Sequence, residues 1–270
     1  MWTRGQLKEN GKKALHRNYW IVVIATLVLG IISGSYGGVD HITGEIRQEV
    51  IDSGQNLDID SILPSAFGKV GNFFYSVFTE DRSLYIVAIF CVVWALIVIL
   101  FSIFIGNLFE IGGARFFEEN SDKKAELGLI LYGFQKGSYV RKTFTLFLRD
   151  LYIFLWGLLL IIPGIIKNYE YSMIPYILAE NPEISRQRAF EISKKMMDGQ
   201  KMDAFILDLS FIGWEMLGAI TFGIVKVLYV HPYEKATWVE LYKVNRKNML
   251  ETGKASIQEL PGWNGTDNII

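Results

Sequence analysis

The stretch from Phe144 to Glu180 constrains this chain more than any other. From Leu151 to Ile166 it carries no charge, with Arg149 and Asp150 on one side and Lys167 and Glu170 on the other. At about 1.5 Å of rise per residue, a single helix from Phe144 to Ala179 would reach on the order of 50 Å, well beyond the roughly 30 Å of bilayer hydrocarbon. Pro163-Gly164, near the middle, is a break signal. The stretch therefore reads as two membrane helices, Phe144 to Ile162 and Ile165 to Ala179, folded back at that pair. The returning arm is thin, about 22 Å at helical rise. It also contains Lys167, Glu170 and Pro175, so it needs helical neighbours or a wet cavity around it.

Two more segments, Trp20 to Ile32 and Leu84 to Ile105, are free of charge, and the second is long enough to cross a bilayer as it stands. The last apolar region, Ala204 to Val230, is again long for one span. It reads as a hairpin, Ala204 to Leu217 and Thr221 to Tyr242, with His231-Pro232 as a kink in the second arm. The fold class is all-α, a polytopic helical membrane protein with about six membrane segments, four or five being the alternative. Three regions follow: a basic amphipathic leader over 1–18, one helical membrane domain over 19–250 with an outer loop at 36–82, and a tail over 251–270.

Charge orients the spans. Residues 1–18 hold five basic residues (Arg4, Lys8, Lys12, Lys13, Arg17), against three in the 47 residues from Tyr36 to Arg82. The positive-inside rule then places the leader in the cytoplasm and the loop outside. Basic residues return in Ala114 to Thr143, in Arg186 to Lys201 and in the tail from His231, so both termini are expected in the cytoplasm of a multi-pass cell-membrane protein. Gly112-Gly113 is expected to end or bend the helix that carries Glu110.

Two short helices read as amphipathic. Leu7, Gly11, Ala14 and Leu15 line one face of the leader behind a Thr3-x-x-Gln6 capping box, and that helix either lies on an anionic membrane surface or is a solvated leader. Asn181-Pro182-Glu183 reads as a helix start, and Ala189, Phe190, Ile192, Ser193, Met196 and Met197 fall on one arc, as an interfacial helix would have them.

Little here points to catalysis. The formal net charge is −1, which excludes a nucleic-acid binder working by bulk charge. Cys91 has no second cysteine to pair with, and His16, His41 and His231 fall in unrelated segments, so no metal site, catalytic residue or cofactor is assigned. What stands out is charge at membrane depth: Lys167, Glu170, Asp208, Glu215 and Lys226. Such groups are costly in lipid and often mark a transport path. Asp208 and Glu215, seven residues apart, share a face if one helix carries both. These five are either an intramembrane polar cluster or local charge neutralisation inside the bundle.

The residues from Leu160 onward resemble the domain-of-unknown-function 975 family. The resemblance rests on Ile-Pro-Gly-Ile-Ile-Lys at 162–167, Tyr-Ile-Leu-Ala-Glu-Asn-Pro at 176–182, Leu-Ser-Phe-Ile-Gly-Trp at 209–214 and His-Pro-Tyr at 231–233. The leader from Arg4 to Trp20 fits the usual opening of that family. The resemblance covers most of the chain except the outer loop and the last 20 or so residues. It implies a multi-pass bacterial integral membrane protein, found mostly in Gram-positive species, with no established activity. The functional expectation is a membrane scaffold or partner-binding protein, with the lipid bilayer and another membrane protein or a second copy as its partners. The alternative is a channel or transporter for an ion, lipid or amphipathic peptide; a lipid-modifying enzyme ranks third.

Overall fold

A computed structural model of the chain describes residues 2–32, 82–135, 139–221 and 223–262. The outer loop read from the sequence over 36–82 lies outside these up to residue 81. The described residues are helical and turn, with no strand among them. The chain divides into two compact units, Gly34–Ser102 and the remainder, Met1–Ser33 with Ile103–Ile270.

In the first of these units the described element is α3, Arg82–Phe101. Large apolar side chains from Ile86 to Phe101 face outward all round it. A helix apolar on every side has no polar face to give to water. The helical run Ile86–Asp122, to which it belongs, is the one described helix long and apolar enough to cross a membrane.

The larger unit begins with α1, Arg4–Arg17, started by the Thr3/Gln6 capping box in both directions. It turns by 101° into α2, Tyr19–Ile32. The apolar face of α1 does not lie on a membrane. Leu7, Gly11, Ala14 and Leu15 are buried, and α1 runs along α11, His231–Glu251. A Cβ at Gly11 would sit 2.9 Å from the Thr237 Cα, so the two backbones touch there. The interfacial expectation for this face fails because the face is already spent on a protein partner.

After a π-helical turn, Ser102–Gly106, comes α4, Asn107–Asp122. It runs straight through Gly112-Gly113, where a break was expected. The reason is packing against a 3₁₀ segment, Leu127–Phe134. A Cβ on Gly112 would lie 1.8 Å from the Ile130 carbonyl oxygen, and one on Gly133 would lie 2.0 Å from the Leu108 carbonyl oxygen. These glycines permit backbone contact; they do not interrupt the helix.

The organising stretch is a hairpin. Its outgoing arm is α5, Tyr139–Leu159, and its returning arm begins with α6, Ile161–Tyr171, packed back along it. The break falls at Leu160, three residues before Pro163, in extended backbone (φ −158°, ψ 139°). Pro163 occupies the first turn of α6, where its missing N–H costs nothing. Gly164 lets the arms meet: a Cβ there would be 2.7 Å from the Gly157 Cα. The returning arm breaks again at Ser172–Met173 and continues as α7, Ile174–Glu180, with Pro175 in its first turn.

Next is α8, Arg186–Met196, capped by Ser185 rather than Asn181. Its apolar arc, expected on the membrane surface, is buried: Ala189, Ile192, Ser193 and Met196 pack into the unit. Then follow α9, Lys201–Leu209, and α10, Ile212–Ile220. A turn through Gly223 (φ 83°) leads back along α10 into a π-helical turn, Lys226–Val230, and α11. Most of α11 is buried, polar residues Thr237, Glu240, Asn245 and Arg246 included, so it forms the axis of the unit and not the arm of a spanning hairpin.

The tail folds back onto α7 and α8. Leu260 is buried, Asn181 donates to the Gln258 and Glu259 carbonyls, and Arg188 pairs with Glu259 at 2.6 Å. Hydrogen bonds from Arg188, and after them from the Ser256 backbone amide, hold the Glu259 carboxyl down to about 2.

Two predictions follow from these contacts. Gly112→Ala and Gly133→Ala should each destabilise the detergent-solubilised protein by about 1–3 kcal/mol, whereas Gly128→Ala, with nothing within 4 Å of its Cβ, should be near neutral; thermal unfolding checks this. Because the folded Glu259 value is depressed, tail docking should be fully present above the ordinary carboxylate range and fade as pH falls towards about 2. Hydrogen exchange of amides 254–260 at pH 7, 4 and 2 reads this directly. Protection unchanged at pH 2 would disprove it.

Candidate functional site

The five charged residues singled out in the sequence gather into three separate groups. In the first, the Glu170 carboxylate on α6 accepts from Lys167 Nζ at 2.9 Å and from Lys201 Nζ at 2.9 Å, with Lys194 Nζ 4.0 Å away. The i,i+3 spacing on α6 brings Lys167 to Glu170. Lys201 arrives as the first residue of α9, and Lys194 from the last turn of α8. Ser193 Oγ donates to the Glu170 carbonyl at 2.8 Å, which seats α8 against α6. The Glu170 side chain is only 4 % exposed.

The second group surrounds Asp208 in the last turn of α9. Its Oδ2 accepts from Tyr169 Oη at 2.7 Å and its Oδ1 from Trp238 Nε1 at 3.0 Å. Tyr169 stacks on Trp238 with ring centroids 6.3 Å apart. One carboxylate thereby ties α6, α9 and α11 together.

Glu215 lies in the third group, on α10. Lys226 Nζ stands 3.2 Å from its Oε2, and His231 Nε2 stands 3.8 Å from its Oε1. Asp208 and Glu215 do not share a helix face, because the helix is interrupted at Ser210–Phe211. Ser210 Oγ donates back to the Leu207 carbonyl there, the local competition by which serine unsettles a helix.

Two further charge groups had no sequence signal. Arg149 on α5 forms a bidentate pair with Glu110 on α4, at 2.8 and 2.7 Å, and also reaches Asp150 at 2.7 Å. Deeper in the unit, buried Glu118 of α4, Glu180 of α7, and Tyr242 and Arg246 of α11 converge. Arg246 Nε lies 3.1 Å from Glu180 Oε1, and the Gly262 amide donates to Glu180 Oε2. Residues this distant in sequence show no spacing that would announce their meeting. Among the described residues no group of three or more His, Cys, Asp or Glu is placed to hold a metal ion.

Chemically, the arrangement offers charge neutralisation and docking. In these three groups each carboxylate has a donor or cation beside it. Asp208→Ala should cost about 2 kcal/mol, since it leaves the Tyr169 hydroxyl and the Trp238 indole without an acceptor; Tyr169→Phe should cost about 1 kcal/mol. The double variant should cost less than the sum. Denaturation of the detergent-solubilised variants measures all three, and strict additivity would refute the coupling.

No curated protein and no solved structure matches the chain significantly. A family model described as "Protein of unknown function (DUF975)" matches residues 157–248. The match starts near the tip of the α5–α6 hairpin and ends in the last turn of α11, so it takes in all three charge groups around Glu170, Asp208 and Glu215. It contains the Ile-Pro-Gly, Leu-Ser-Phe-Ile-Gly-Trp and His-Pro-Tyr motifs, and is narrower than the resemblance read from the sequence, leaving out the leader. Residues 157–248, about a third of the chain, are thus similar to the DUF975 family.

Proposed function

We propose that this protein is a multi-pass membrane protein of the bacterial cell membrane, acting as a scaffold or partner-binding protein. The observation that carries this reading is apolar surface concentrated at the hairpin tips, beside an interior that mixes an apolar core with buried charge. The interior holds Glu118, Lys142, Glu180, Asn245 and Arg246, while the tips of both hairpins are apolar and exposed. Leu158, Ile161, Ile162 and Ile220 are 74, 77, 71 and 73 % exposed. Apolar surface concentrated in this way needs a partner, and a lipid bilayer supplies one.

Length refines the topology. The 11 residues of α6 rise about 16 Å and the 9 of α10 about 14 Å, against roughly 30 Å of hydrocarbon. In this reading the two hairpins enter the bilayer and return without crossing it; α3 is a pass on its length, and α2, about 21 Å long, is proposed as the second on its uncharged sequence and not on its length. Both hairpin bases, and both termini, then stay on the cytoplasmic side. The folding of α1, α8, α11 and the tail into one polar unit supports that arrangement, because Lys243 of α11 reaches Asp122 of α4 and Arg188 of α8 reaches the tail. A transport path has less support: the charged residues fall into three separate local groups.

The test is site-directed labelling in a Cys91→Ser background. Nitroxides at 161 and 220 should report a hydrocarbon environment at a depth short of the far leaflet. Single cysteines at 124, 187 and 248 should all react with an impermeant reagent from the same side. Reaction of a cysteine at 161 with reagent on the opposite side would show a full crossing. Ion or solute flux in proteoliposomes that falls in Asp208→Asn or Glu215→Gln, with folding intact, would replace the scaffold reading by the channel or transporter reading.

A further inference from the structure

We propose that the three lysines around Glu170 hold the phosphate of an anionic lipid headgroup, an inference that rests on the membrane reading above. Three ammonium groups from three elements, Lys167 of α6, Lys194 of α8 and Lys201 of α9, stand 2.9, 4.0 and 2.9 Å from one carboxylate. One carboxylate neutralises one of them, so the group keeps two formal positive charges. Glu170 is buried, whereas the Lys194 side chain is 64 % exposed, which turns the surplus charge outward. An ammonium is a strong point donor for a phosphate oxygen.

Location selects a lipid over a soluble anion. Lys167 follows directly on Ile165 and Ile166, two exposed residues of the returning hairpin arm. Its Nζ lies 5.6 Å from the Trp156 ring centroid and 5.5 Å from that of Tyr171. Lysine beside tryptophan and tyrosine, at the edge of an apolar surface, is the side-chain chemistry of the headgroup level. A phosphate held by the lysines would let its acyl chains run along Trp156, Ile165 and Ile166. A soluble phosphate would gain nothing from that surface.

The experiment uses the full chain in bilayer discs of phosphatidylcholine, with spin-labelled phosphatidylglycerol or phosphatidylcholine as probe, and reads the relative association of each with the protein. The wild type should prefer phosphatidylglycerol. Lys194→Glu should reduce that preference by about fivefold or more, since one basic residue near the surface contributes on that order. It leaves the Lys167 and Lys201 pairs to Glu170 in place. Lys195→Glu makes the same charge change one residue away, where the lysine pairs with Glu191, and should have a smaller effect. Glu170→Gln removes the buried negative charge and should raise the preference, so the proposal stands or falls even if one variant folds poorly. Equal losses in Lys194→Glu and Lys195→Glu would show diffuse surface charge and overturn the site. Loss of the preference on adding inorganic phosphate in the millimolar range would assign the lysines to a free anion and overturn the lipid. Failure to enter discs of either lipid would overturn the membrane reading as well.

Discussion

Backbones that approach more closely than any side chain would allow hold the larger unit together. At Gly112 and Gly133, α4 and the 3₁₀ segment each place a carbonyl where the other would carry a Cβ. Glycine inside a helix is unfavourable by roughly 1 kcal/mol relative to alanine. That cost is offset where contact is so close that dispersion and weak Cα–H···O contacts act along the whole crossing. The same device seats α1 on Thr237 and closes the α5–α6 hairpin at Gly157 and Gly164. With those crossings in place, α11 lies enclosed, and its polar residues find partners inside the protein. Without them, the charged residues of α4, α7 and α11 would have no common interior to meet in.

That interior explains the distribution of charge. A buried carboxylate is tolerable only with a cation or donor beside it. Glu170 and Glu180 each lie beside a lysine or arginine, with all but one of those contacts coming from another helix. The charge groups therefore act as docking points between elements. Large apolar side chains are also exposed on the hairpin tips and on α3, beside an apolar core in the interior of the larger unit.

Several features were legible in the residues. The fold-back of the central stretch was readable because a largely apolar stretch too long for one span contained a proline-glycine pair, although the break lies at Leu160 and the pair serves the returning arm. A turn between Leu217 and Thr221 was readable from the length of the last apolar region, but His231-Pro232, expected as a kink, is instead the start of α11. Periodicity also located the apolar faces of α1 and α8 correctly, but not what they touch. An apolar stripe of given width looks the same whether it meets lipid or another helix. Gly112-Gly113 was misread because a break and a close crossing demand the same residue. Asp208 and Glu215 were assigned to one face on spacing alone, and Ser210 ended that helix between them.

The sequence by itself determined an all-helical fold class, the turn-back of the central stretch, a run at Leu84 to Ile105 long and apolar enough to cross a membrane, and which charged residues would need explaining; it expected about six membrane segments, where one described helix is long and apolar enough. Those follow from local chemistry: run length, periodicity, and the backbone limits of proline. Tertiary structure alone decided that α1 and α8 bury their apolar faces in protein, that the five charged residues form three groups, and that Glu118, Glu180 and Arg246 meet at all. Such pairings depend on which helices cross and at what distance, and a helix crossing is a property of two surfaces that no single stretch of sequence contains.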